Sequence, residues 1–312
     1  MIQVGIVGSL TAIGRYTNAL GQFQDAGITG RWISGSGTEP VTDAETGRSC
    51  TSTAQLIGNS DALIIEWGGE FCTSLAIAAL RSARHVFLHS SAVQSVDEAN
   101  RLIKLAREAN VILRAGKSGK DDTKGLLTVL RDRTEISMIE LQHDHRINGQ
   151  SGAPGMPEAL LADLEVISSL VKARIVSVKA KGLCMLSSNP DIVNARLEFD
   201  NGCAVNYNCN LVAAHDEFRG TLVLKKRILK YNFLTGEITS WLLQPPDGRG
   251  ELLSVERIRV ENSDTLISEL SDFFNLIISG PNLLSLYDNG FEPYVLADRI
   301  LEKVMKTLVR CS

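Results

Sequence analysis

Ile2-Gln3-Val4-Gly5-Ile6-Val7-Gly8-Ser9-Leu10-Thr11-Ala12-Ile13-Gly14 is the stretch whose reading decides the fold. A β-branched run ends on glycine, crosses a polar turn and enters an amphipathic segment, which is strand, turn and helix. In a Rossmann domain this turn carries glycines, because only a backbone free of side chains lets a diphosphate reach the amides at the helix N-terminus. Gly8 and Gly14 hold the outer places; they stand six apart instead of five, and the middle glycine is absent. Ser9 and Thr11 add hydroxyls. Gly8, Ser9, Thr11, Ala12 and Ile13 are therefore the expected cofactor-binding residues, although the same letters also fit a glycine-ended turn that binds nothing.

Outward from this unit the alternation continues. Strands are expected at 30–35, 62–66, 85–88 and 111–114, with helices at 14–26, 74–82 and 96–108 between them. Such alternation requires right-handed crossovers and a parallel sheet. A domain that prefers NAD ends its second strand on Asp or Glu, which takes the ribose hydroxyls. Here the sequence reads Ile33-Ser34-Gly35-Ser36, with neither that carboxylate nor an Arg to hold a phosphate, so NAD and NADP both fit and Ser34 is the expected contact. Trp67-Gly68-Gly69 follows the strand at 62–66. Its glycines suit close approach of backbone to a ligand as well as a plain turn, and Trp67 and Gly68 join the expected cofactor contacts.

The pattern changes at the polar segment 117–124, which divides a nucleotide-binding domain, 1–117, from a second domain, 118–312. A helix at 122–131, a strand at 136–142, a Gly/Pro/Ser-rich loop at 148–157 and a helix at 158–171 come first. Strands then dominate, at 176–180, 192–199, 204–211, 218–224, 228–233 and 253–260. Short turns such as Asp200-Asn201-Gly202 make antiparallel hairpins of them, and helices at 264–278 and 293–309 close the chain. The expected fold class is α/β: an N-terminal Rossmann parallel sheet domain plus a C-terminal α+β domain with a large, mostly antiparallel sheet.

Composition bounds the function. The 312 residues are 44% hydrophobic and 22% charged, with a net charge of -4, as in an ordinary globular protein. No basic stripe offers itself to nucleic acid; Lys225-Lys226-Arg227, the densest cluster, reads as a solvated face or turn. Residues 1–7 run straight into a strand without signal-peptide character, and no apolar run nears the ~20 residues that cross a bilayer. A cytoplasmic protein without membrane contact is expected. The six cysteines show no CxxC pair and read as reduced thiols. His143 and His145 flank Asp144 and share a strand face, but further ligands for a metal are not evident; they read as loop or rim histidines, with Arg146 as an anion contact.

Several segments, in common order over nearly the whole chain, carry a resemblance: Asp61-Ala62-Leu63-Ile64-Ile65, Leu75-Ala76-Ile77-Ala78-Ala79-Leu80 with His85-Val86-Phe87, Phe199-Asp200-Asn201-Gly202-Cys203-Ala204, and Glu269-Leu270-Ser271-Asp272-Phe273. Together they resemble the glucose-fructose oxidoreductase, inositol dehydrogenase and MocA (Gfo/Idh/MocA) family. The resemblance implies an NAD(P)-dependent oxidoreductase acting on a sugar, polyol or related hydroxy compound, and a homo-oligomer (dimer or tetramer) formed through the open face of the second-domain sheet, which an apolar face would mark. The family's catalytic residues are where this chain departs. Members carry Glu-Lys-Pro where His89-Ser90-Ser91 stands here, and an Asp followed four residues later by a His where the alignment places Glu158 and Ala162. Hydride transfer from a hydroxyl carbon needs a group to take the hydroxyl proton. Ala162 offers none, which leaves His89 as the expected catalytic residue with Glu158 to orient it. Loss of both family residues also fits a non-catalytic relative that keeps a nucleotide or sugar site, and a polar strand end accounts for His89 equally well.

Overall fold

The computed structural model describes residues 1–33, 40–41, 52–66, 70–89, 96–116, 123–130, 136–147, 155–186, 188–243, 253–260, 265–280 and 290–310. They form two compact units, Met1–Ser118 with Asp264–Tyr294, and Gly119–Ser263 with Val295–Ser312.

The first unit runs β1 (Ile2–Gly8), α1 (Leu10–Leu20), β2 (Ala26–Ile33), β3 (Pro40–Val41), α2 (Thr53–Asn59), β4 (Ala62–Glu66), α3 (Glu70–Arg81), β5 (His85–His89), α4 (Val96–Ala109) and β6 (Leu113–Gly116). The sheet order is β3-β2-β1-β4-β5-β6, parallel except for the antiparallel edge strand β3. Strands buried on both faces read as continuous apolar runs. That is why 62–66 and 85–88 were legible. The first helix begins at Leu10, four residues before Gly14, and the chain turns at Gly21 into β2.

The second unit contains α5 (Thr123–Val129), β7 (Ile136–Arg146), α6 (Met156–Leu170), β8 (Ile175–Cys184), β9 (Ile192–Phe199), β10 (Ala204–Ala213), β11 (Glu217–Leu224), β12 (Arg227–Asn232), β13 (Glu237–Leu243) and β14 (Leu253–Arg259). Then α7 (Thr265–Ser279) returns to the first unit. The next helix, α8 (Glu292–Lys306), starts in the first unit and continues in the second, where β15 (Val309–Arg310) adds an edge strand. The nine strands pair in the order β14-β13-β12-β11-β7-β10-β9-β8-β15, antiparallel except for the β7–β10 and β8–β15 pairs. The β9–β10 hairpin turns at Gly202, whose φ of +85° suits glycine, and Asn201 Oδ1 accepts from the Cys203 amide at 3.0 Å.

One face of this sheet is covered. Leu160, Leu164 and Ile167 of α6 share a core with Val193, Leu197, Val205 and Leu222, and Ile300 and Val304 of α8 join it. In the first unit the core of Val4, Ile6, Ile13, Tyr16, Ile64 and Phe87 is completed by Leu270, Phe273 and Phe274 of α7. A boundary at 117 assigns α7 to the second domain; its apolar face instead fills the Rossmann core.

Candidate functional site

At the carboxyl edge of the parallel sheet, β1 lies between β2 and β4, where the winding of the chain reverses. Ligands of open α/β sheets bind at such a switch point. A Cβ on Gly8 would stand 3.1 Å from Ala12 Cβ and 3.1 Å from the Glu66 carbonyl oxygen, so the glycine lets α1 and β4 close around the turn. Gly14 has open space where a Cβ would be and is not required by packing. Ser9 caps α1, its Oγ accepting from the Ala12 amide at 3.2 Å and lying 3.1 Å from Thr11 Oγ1. That leaves Leu10 and Thr11 N–H without partners inside the helix, aimed along the positive end of its dipole. Leu10 is 68% exposed and Ile13 is buried in the core, so neither side chain plugs the turn.

Glu66 pairs in register with Gly8 and so brings a carboxylate beside this turn. Arg15 Nη2 donates to Glu66 Oε2 at 2.6 Å, and its guanidinium lies 5.3 Å from the Tyr16 ring centre. The cation offsets the charge that Glu66 would set against an incoming phosphate. His89 ends β5 opposite Gly116. Burial holds its imidazole below the usual histidine range, and Glu66 opposes that in part. Ser34, Trp67 and Gly68 lie outside the described residues.

The second unit holds a cluster that the sequence reading did not assemble. β7 extends to Arg146, so His143 and His145 belong to the strand and not to a loop or rim. Both turn to the covered face. His143 Nδ1 lies 2.6 Å from Asp163 Oδ1, and the Tyr207 hydroxyl donates to Asp163 Oδ2 at 2.7 Å. Asp163 is fully buried on α6, among leucines. The His143 ring is stacked between His145 and Phe218, each at a centroid distance of 4.0 Å, and Phe233 backs Phe218 at 4.2 Å. Burial and then the Asp163 charge push the Cys209 thiol up to about 12 and raise the Tyr207 phenol well above its ordinary value. Among the described residues no three acidic, histidine or cysteine side chains form a metal site.

Glu158 is exposed in the first turn of α6, where a carboxylate meets the positive helix end, and it belongs to a different unit from His89. The buried carboxylate of that helix is Asp163. The open face of the large sheet is mixed: Met138, Val223, Ile228, Trp241 and Val255 form one apolar row across five strands, and a hollow of about 490 Å³ on the same face is lined by Glu140, Gln142, Asn194, Asn208, Arg219 and Lys230. Among the described residues no helix is long and apolar enough to cross a membrane.

The whole architecture recurs in solved structures. UDP-N-acetylglucosamine 3-dehydrogenase GnnA from Acidithiobacillus ferrooxidans shares 18% identity over 98% of this chain and 99% of its own, with a TM-score of 0.76. Levoglucosan dehydrogenase aligns over 100% of this chain and 99% of its own at 13% identity and a TM-score of 0.78. The chain has the Gfo/Idh/MocA fold. Another structure with the Gfo/Idh/MocA fold, biliverdin reductase from a Synechocystis species, is similar at 20% identity over 97% of this chain and 99% of its own, with a TM-score of 0.71. No family profile and no curated protein matches the sequence.

Proposed function

We propose that the chain is an NAD(P)-dependent oxidoreductase acting on a sugar, polyol or related hydroxy compound. The observation that carries this reading is the close turn at Gly8 and Ser9, set at the switch point of a parallel sheet and leading into the first amides of α1, which have no partner inside the helix. A diphosphate would meet the first amides of α1, which neither the exposed Leu10 nor the buried Ile13 side chain covers. Gly8, Ser9, Thr11, Ala12 and Ile13 would hold it, Ile13 through its backbone, with Ser34, Trp67 and Gly68 as further contacts along the dinucleotide. When bound, the nicotinamide ring supplies the hydride acceptor. Either NAD or NADP suits the reading: levoglucosan dehydrogenase was solved with NADH, and the similar biliverdin reductase with NADP+.

The chain's own task is to bind the hydroxy compound and to take its proton. In this reading His89, held neutral by burial, is the acceptor, with Glu158 to orient it. A second reading, a non-catalytic relative with a regulatory or structural role, is favoured by His89-Ser90-Ser91 and Ala162 standing at the places of the family's proton-transfer residues. A cytoplasmic homo-oligomer, dimer or tetramer, completes the proposal, with association through the open sheet face, where Met138, Val223, Ile228, Trp241 and Val255 form an apolar row.

Titration with NAD, NADH, NADP and NADPH, followed by nicotinamide fluorescence and thermal shift, tests the first step. At a ligand concentration ~100 times Kd a single site adds about 2.7 kcal/mol of stability. No response to any of the four would end the oxidoreductase reading. Binding without turnover across a panel of sugars and polyols would favour the non-catalytic one.

A further inference from the structure

The open face of the nine-stranded sheet carries a hollow that neither the cofactor turn nor the buried His143 cluster uses. Alternation along a strand puts every second residue on this face, and the register sets those residues in rows. Asn206 of β10, Glu140 of β7, Thr221 of β11 and Lys230 of β12 stand side by side in one row. Asn194 of β9, Asn208 of β10, Gln142 of β7 and Arg219 of β11 make the next. Asn and Thr side chains are short, so about 490 Å³ stays open beside the longer Arg219 and Lys230, which is the size of a small-ligand site.

Neighbours hold these polar groups and so decide which of their atoms remain. Arg196 Nη1 donates to Asn206 Oδ1 at 2.8 Å, which leaves Asn206 Nδ2 as a donor. Asn208 Nδ2 donates to Gln142 Oε1 at 3.1 Å and Asn194 Nδ2 to the Tyr207 carbonyl at 3.3 Å, so each keeps its Oδ1 as an acceptor. Glu140 adds a carboxylate on the same side. Across from them the cations are steadied: Arg219 Nη1 lies 3.0 Å from Glu217 Oε1, and Lys230 Nζ lies 5.4 Å from the centre of the Trp241 ring. A guanidinium has five N–H donors and an ammonium three, so both keep donors to give. Acceptors therefore gather over β9, β10 and β7, and positive donors over β11 and β12.

We propose that this hollow binds a small polyhydroxylated anion, a sugar acid or a sugar phosphate. Its anionic group meets Arg219 and Lys230, and its hydroxyls donate to Asn194, Asn208 and Glu140. A bare phosphate would leave those acceptors unmatched, and a neutral sugar would leave the two cations unmatched. The site lies wholly in the second unit, so it stands whether or not the oxidoreductase reading does. The apolar row from Met138 to Val255 shares the face, one step of the alternation along the strands from Glu140 and Thr221. A second copy seated on that row is the competing occupant.

Calorimetric titration of the full-length protein tests this with glucose 6-phosphate and glucuronate, against glucose and inorganic phosphate as controls. At least one sugar anion is expected to bind saturably, ~10-fold or more tighter than either control. In isotope-labelled protein the side-chain amide signals of Asn194, Asn206 and Asn208 should move as that anion is added. Arg219→Gln combined with Lys230→Gln is expected to lose ~10-fold or more in affinity for it. Asn194→Ala should weaken the sugar anion and leave inorganic phosphate unchanged. These three side chains are exposed, so the variants are expected to keep the melting temperature of the unmodified protein. Unchanged anion binding in the double variant places the ligand elsewhere and overturns the proposal. So does inorganic phosphate binding as tightly as both sugar anions. No saturable response to either sugar anion overturns it as well, including the case in which sedimentation shows a second copy closing the face.

Discussion

Asp163 occupies one position in a helix face otherwise built from Leu160, Leu164 and Ile167, and its charge is tolerable only because two donors meet it. Asp163→Ala strands a buried phenol and a buried ring nitrogen. At about 1–3 kcal/mol for each unsatisfied group, the expected loss is about 2–6 kcal/mol, read as a lower urea midpoint with an unchanged slope. Tyr207→Phe removes one donor and is expected to cost less, about 1.5–3 kcal/mol. A loss from Tyr207→Phe equal to that from Asp163→Ala would mean that the carboxylate does not depend on both. A second expectation concerns pH. Burial holds His85, His89 and His145 below the ordinary histidine range, and for His145 the neighbouring His143 adds to the effect. His85 Nδ1 also accepts the Ile112 amide at 3.0 Å, which requires that nitrogen to be unprotonated. With the folded pKa below the unfolded value of 6.5, the unfolded chain binds more protons, so stability is present above that pH and drains as pH falls through it. Urea midpoints on either side of this pH should show the decline. A flat profile would contradict it.

At the scale of elements, α1 depends on a cap that is also part of the expected ligand turn. Ser9→Ala removes the acceptor for the Ala12 amide and is expected to cost about 0.5–2 kcal/mol, seen as a lower melting temperature without ligand. If Ser9 also contacts a diphosphate, the same variant loses dinucleotide affinity beyond what the lost cap explains. Thermal shifts with and without NADH separate the two contributions. β1, β4, β5, α3 and α4 are legible because each is a continuous apolar run or an amphipathic period, whereas the seven-residue α2 is too short to show a period and is absent from the expected elements. Gly14 has the look of a boundary, but an exposed glycine inside a helix only weakens it, and α1 begins four residues earlier at Leu10. A strand ending at Gln142 stops short for a similar reason: His143-Asp144-His145 look like loop residues, yet β7 continues because Asp163 meets His143 across the core. The signal for that partner was in the sequence, as a carboxylate inside Ala159-Leu160-Leu161-Ala162-Asp163-Leu164. Nothing local said which strand would answer it. Glu66 and Arg15 were missed likewise, since only the parallel register sets a residue at the end of β4 beside one in α1.

At the scale of the molecule, the chain crosses between its units three times, at 118, at 263 and at 294. Composition and periodicity gave the first crossing, through the polar segment 117–124. The return of α7 was invisible, because an amphipathic helix does not say which sheet it will cover. It has a direct consequence for truncation. A fragment of residues 1–117 lacks Leu270, Phe273 and Phe274, all buried against Tyr16, Ile64 and Phe87, with Phe273 meeting Phe87 edge-on at 5.6 Å. Three such side chains at ~1.5–3 kcal/mol each supply ~5–9 kcal/mol, which is comparable to the entire stability of a domain. The 1–117 fragment is therefore expected to be at most partly folded, with weak near-ultraviolet circular dichroism and no cooperative melt. The same fragment joined through a flexible linker to residues 264–294 is expected to melt cooperatively and to bind dinucleotide if the intact chain does. Cooperative unfolding of 1–117 alone, at the temperature of the joined form, would show that α7 is dispensable to this core.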